Sequence, residues 1–130
     1  MATITEDYVS FETAKLLKKK GFDEVCYRIY DTKEKELFGT DGIEFQNHEI
    51  DEETITAPTL QMACKWLRVE HNILLFLLPA QENGKLVYLV EVWNWNEEEG
   101  IYESTYAPMP RKEPEKACEA AIKYCLENLI

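Results

Sequence analysis

The spacing of apolar positions changes several times along the chain, and each change marks an element. From Phe11 to Lys20 it is helical: Ser10 offers an N-cap oxygen, Glu12 suits the positive end of the helix dipole, and Lys18, Lys19 and Lys20 suit the negative end. Gly21 is expected at the left-handed C′ position, with Phe22 folding back toward Leu17. Val25 to Tyr30 alternates Val25, Tyr27 and Ile29 against Cys26, Arg28 and Tyr30, the period of a strand. Residues 31–56 hold turn signals at Gly39 and Asp41-Gly42, with Ile43 and Phe45 suited to one face of a short strand. An edge strand and a solvated loop are expected there.

A second helix is predicted from Pro58 to Asn72. One of its stripes is Leu60, Ala63, Cys64 and Leu67, and an adjoining one is Met62, Trp66 and Val69. Ile73 to Leu78 is a continuous apolar run of strand length, which Pro79 is expected to end or bulge. Asn83-Gly84 is the preferred dipeptide of a type I′ hairpin turn, so Lys85 to Asn96 returns as a long strand. Glu97-Glu98-Glu99-Gly100 signals a second turn, and Ile101 to Tyr106 a third strand. Pro108, Pro110 and Pro114 make Ala107 to Glu113 a stiff connector. A last helix follows from near Pro114 almost to Ile130, with the stripe Cys118, Ala121, Ile122, Cys125 and Leu129. The predicted order is α-ββ-α-βββ-α, an α+β fold with helices packed on one face of an antiparallel sheet, in a single domain over residues 1–130.

Composition adds a globular balance, 45% hydrophobic and 30% charged, and no apolar run near the ~20 residues of a membrane span. Met1 to Asp7 has two acids, no base and no apolar core, unlike a signal peptide, so a cytoplasmic address is expected. The formal charge of −11 opposes direct binding to nucleic acid or anionic lipid. Cys26, Cys64, Cys118 and Cys125 lie among apolar neighbours and read as free thiols acting as small hydrophobes.

Three blocks, Asp7 to Glu24 (DYVSFETAKLLKKKGFDE), Ala57 to Asn72 (APTLQMACKWLRVEHN) and Glu119 to Ile130 (EAAIKYCLENLI), together resemble an uncharacterised family of small acidic proteins of Bacteroides-type bacteria and their phages and mobile elements. The resemblance implies a bacterial accessory-gene setting and transfers no activity, cofactor or residue role. One departure is local: Arg111-Lys112-Glu113-Pro114 stands where the family has an aromatic-acidic entry to the last helix.

Candidate chemistry is sparse. His48 and His71 are the only histidines, and neither a Cys-x-x-Cys nor a His-x-x-x-His pair occurs, so no metal or cofactor is expected. His71 with Cys64 or Glu70 is the one grouping that suits a small hydrolase or transferase, although a histidine at a helix C-terminus serves the dipole by itself. Ser10 to Leu17 resembles the first helix of excisionase-like winged helix-turn-helix domains, but a strand follows where a recognition helix should stand.

The most informative surface is aromatic. With turns at Asn83-Gly84 and Glu98-Glu99, Trp93 and Trp95 share a face with Tyr102 and Tyr106, and Glu91 sits among them; Leu86, Tyr88, Val90 and Val92 take the opposite face. Both faces are thus apolar, which points to a non-enzymatic interaction module that associates with itself or another protein through the aromatic face. The alternative uses the acids Glu44, Glu49, Asp51, Glu52 and Glu53 with Glu97, Glu98 and Glu99 as a nucleic-acid mimic that occupies a basic DNA-binding protein.

Overall fold

The computed structural model describes residues 4–106 and 110–130, Tyr106 through its backbone alone. Packing gathers the chain into two compact units, 1–62 and 63–130. In chain order the elements are α1 (Phe11–Lys19), β1 (Arg28–Asp31), β2 (Leu37–Gly39), a 3-10 turn (Asn47–Glu49), β3 (Thr54–Thr56), α2 (Leu60–His71), β4 (Ile73–Glu82), β5 (Lys85–Asn96), β6 (Ile101–Tyr106) and α3 (Pro114–Asn128). The fold is α+β, as expected, but its strands form two antiparallel three-stranded sheets.

In unit 1–62, local chemistry sets the limits of α1. The Ser10 hydroxyl accepts from the Thr13 N–H at 3.3 Å. At the other end the Phe22 N–H donates to the Leu17 carbonyl at 2.9 Å and the Gly21 N–H to the Lys18 carbonyl at 3.2 Å, the paired bonds of a Schellman cap. Gly21 holds φ 97°, a backbone state that side chains resist. Leu17 and Phe22, the two positions that such a cap brings together, are both buried.

In place of the expected pair, with Ile43 and Phe45 on its second strand, the structure has a three-stranded sheet in the order β2-β1-β3, with Ile29 opposite Phe38 on one side and Thr56 on the other. Ile43 is exposed and Phe45 makes only an isolated bridge. The strand expected from Val25 begins at Arg28, because Val25 to Tyr27 offer only a single bridge, Cys26 to Phe45. The segment before β3 is fastened by Asn47, whose buried amide donates to the Phe22 carbonyl at 2.8 Å and accepts from the Thr56 N–H at 3.1 Å. Lys18 reaches the carbonyls of Asp51 and Thr54 at 3.2 and 3.0 Å, so one member of the lysine triplet ties a loop down as well as complementing the dipole.

In unit 63–130, a meander in the order β4-β5-β6 carries α3 against β5 and β4. Asn83 and Gly84 hold φ 52° and 77°, both positive as a type I′ turn requires, and all ten residues of β4 find partners on β5. Ile73, Val90 and Val92 are buried on one face, together with Ala117, Ala121, Ile122, Cys125 and Leu126 of α3. The α3 stripe is therefore rotated slightly from expectation: Ala117 and Leu126 are buried, while Cys118 and Leu129 are half-buried. The helix begins at Pro114, as expected.

β4 runs straight through Pro79, which neither ends nor bulges it. Hydrogen-bond parity explains this. Tyr88, the partner of Pro79, exchanges both of its backbone bonds with Arg111 on its other side, each at 2.7 Å. Tyr88 therefore turns no backbone group toward β4, and the nitrogen of Pro79 faces the outer edge, where no ladder bond is lost. By the same alternation the N–H and C=O groups of Leu75 and Leu77 also face outward.

Candidate interaction face and thiol pair

The register places Leu74, Phe76 and Leu78 of β4 opposite Trp93, Glu91 and Leu89 of β5, and Trp95 opposite Tyr102 of β6. These residues share the sheet face turned away from Val90 and Val92. Phe76 meets Trp93 edge-on at 6.4 Å between centroids, and Trp95 meets Tyr102 at 5.0 Å. The aromatic cluster expected from the hairpin is thus assembled for Trp93, Trp95, Tyr102 and Glu91. Tyr106 stands differently: the pairing slips between Val92 and Trp93, so Tyr106 pairs with Val92, and its side chain lies outside the described residues, as do residues 107–109 of the proline connector.

Much of this face is open. Phe76 keeps 47% of its surface accessible, Trp95 37% and Leu78 36%. Trp93 and Tyr102 are half-buried. On the other face of β4, Leu77 is 53% exposed. From Ile73 to Gln81 the strand carries no charge. Among the described residues β4 pairs with β5 alone, so its second edge carries no strand, and beyond buried Ile73 that edge is free. A long, apolar, uncharged free edge is an unusual thing for a chain of net charge −11 to present.

The acids are dispersed into local duties. Glu44 accepts from the Tyr27 hydroxyl at 3.1 Å, which raises that phenol, and Glu53 pairs with Lys33 at 3.5 Å. Asp51 accepts from the Glu53 N–H at 3.0 Å, and Glu49 approaches the His48 ring at 3.7 Å. Glu52 lines an open groove of about 450 Å³ with Phe11, Lys15, Lys18 and Lys35. Glu97, Glu98 and Glu99 are exposed on the β5–β6 turn. His48 also joins Asp23 through Nδ1 at 2.7 Å, and its backbone N–H, 2.8 Å from the same carboxylate, is the largest cause holding Asp23 below the usual carboxylate range.

His71 turns its ring edge-on to Trp66, 4.7 Å between centroids, while Cys64 faces a different group. Its sulfur lies 3.5 Å from that of Cys118 on α3. Both residues are half-buried, whereas Cys26 and Cys125 are buried. A hydrogen bond from the Cys118 thiol pulls Cys64 below the ordinary thiol value against the effect of burial, and the Arg68 charge adds to it; the same bond, then burial, pushes Cys118 up. Sequence reading misses this pair because the two cysteines are 54 positions apart and belong to no spacing motif.

Among the described residues no group of three or more His, Cys, Asp or Glu is placed to hold a metal ion, and no helix is long and apolar enough to cross a membrane. No family model, curated protein or solved structure matches the chain.

Proposed function

We propose that the protein is a non-enzymatic interaction module whose partner is a second copy of itself, added at the free edge of β4 beside the aromatic face. The observation that carries the reading is the uncharged strand from Leu74 to Gln81, unpaired along one edge and with exposed apolar side chains on both faces. Backbone donors and acceptors on such an edge suit another strand. Two copies bearing −11 each repel one another, and this strand is where two chains approach without juxtaposing like charges.

The edge also complements itself. A two-fold axis through Phe76 sets Leu75 against Leu77 of the second copy, twice by symmetry, and leaves both buried Ile73 and Pro79 outside the bonded pairs, so the missing N–H costs nothing. Phe76 then sits beside Phe76 of the second copy, and the Trp93 faces lie side by side.

Sedimentation velocity and native mass measurement over a concentration series test the reading. The expected result is a dimer at tens of micromolar. A monomer at all concentrations overturns it. A salt-sensitive complex with a basic protein, in place of a dimer, would favour the acidic nucleic-acid mimic instead.

A further inference from the structure

We propose that Cys64 and Cys118 form a reversible disulfide, a covalent clasp between α2 and α3 that responds to the thiol–disulfide balance of the surroundings. The inference stands apart from self-association and rests on the geometry of unit 63–130. The two sulfurs are 3.5 Å apart, already in contact, so a bond of about 2 Å requires a sulfur movement of roughly 1.5 Å. Side-chain rotation supplies displacements of that size.

Access and polarity separate this pair from the other thiols. Cys64 and Cys118 are half-buried, while Cys26 and Cys125 are buried. Within the pair Cys64 has Arg68 one helical turn away, and that positive charge suits it to attack as thiolate, leaving Cys118 the resolving role.

The oxidant is a low-molecular-weight disulfide. Cys64, as thiolate, attacks one sulfur of the reagent, forming a mixed disulfide and expelling one reagent thiolate, which takes up the proton that Cys64 gave to solvent. Cys118 then gives up its proton and attacks the Cys64 sulfur, forming the internal bond and expelling the second reagent thiolate, which takes that proton. Two protein thiols are oxidised to one disulfide and one reagent disulfide is reduced to two thiols.

Oxidised and reduced glutathione in graded ratios, with acid quenching and maleimide labelling, provide the test on the folded chain. The expected result is a single transition in which the intact mass falls by two hydrogens, two thiols become protected, and a peptide joining Cys64 to Cys118 appears. C118S is expected to stop at the mixed disulfide on Cys64, detectable as a stable glutathione adduct. C125S is expected to oxidise as the parent does. Full labelling of Cys64 and Cys118 at strongly oxidising ratios overturns the inference. So does a bond that joins either one to Cys125, or one that forms only in urea, since that would mark the contact as packing alone.

Discussion

The edge-pairing proposal makes its sharpest prediction at Leu77. Its side chain is 53% exposed in the single chain, so Leu77→Lys costs the isolated fold little: the methylene stem can cover Val90 while the ammonium reaches water. At a paired edge the same side chain lies against Leu75 of the second copy and is desolvated. Burying a leucine completely is worth about 1.5–3 kcal/mol, so closing the exposed half is worth about 1 kcal/mol. A two-fold interface counts the position twice, giving about 2 kcal/mol, or roughly thirty-fold in Kd. Desolvating two ammonium groups only adds to the loss.

Sedimentation equilibrium on the parent and on L77K supplies the comparison, with urea unfolding of dilute samples to show that the monomer is intact. Weakening by more than tenfold, with an unchanged urea midpoint under monomeric conditions, is expected. Equal dimer affinities in the two proteins would refute the placement of the interface at this edge.

Three further outcomes are expected. Gly21→Ala forces a side chain into a positive φ at the Schellman cap of α1 and should cost about 1–2 kcal/mol by urea unfolding; an unchanged midpoint would contradict the assigned cap. Asp23 titrates below its ordinary 3.8 in the folded chain, so the stability it contributes is fully present above that pH and is lost as the pH falls through the lower folded value. Unfolding midpoints of the parent and D23N should converge under acid, and a constant gap would exclude the His48 contact as the cause. Burial raises Cys26 to about 11 and Cys125 to about 12 from 9.0, so they hold their protons longer in the folded state; that contribution to stability is complete below pH 9 and declines as the pH rises toward those values. Alkylation near pH 9 should label Cys64 first and these two slowest, a ranking that mass spectrometry reads directly.

What the sequence discloses about this fold follows the range of the interactions involved. The cap at Ser10, the stop at Gly21, the Asn83-Gly84 hairpin and the bounds of β5 and β6 are settled by neighbours in the chain, and all are readable from residue order. Strands β2 and β3 are three residues each and owe their existence to β1 lying between them, a pairing no local pattern announces. Asn47 reads as one more polar loop residue until its amide is seen joining Phe22 to Thr56. The Trp93 face was readable because a two-residue turn fixes the register of the β4–β5 hairpin, whereas the slip beside Val92 that re-pairs Tyr106 is not written in any turn residue. Cys64 and Cys118 fall in the same class as β2 and β3: their meeting depends on how α2 and α3 come together.

The outward nitrogen of Pro79 bears on what kind of assembly the exposed strand can support. Unblocked apolar edges recruit strand after strand in many alignments, the route to fibrils. A proline with its ring at the rim rejects alignments that would bring a carbonyl opposite it and so narrows the choice of partners. An isologous contact made in the remaining stretch also consumes the same rim on both subunits, leaving neither of those rims to seed a third. Pro79 thereby acts as a terminator that favours a closed pair over a growing ribbon.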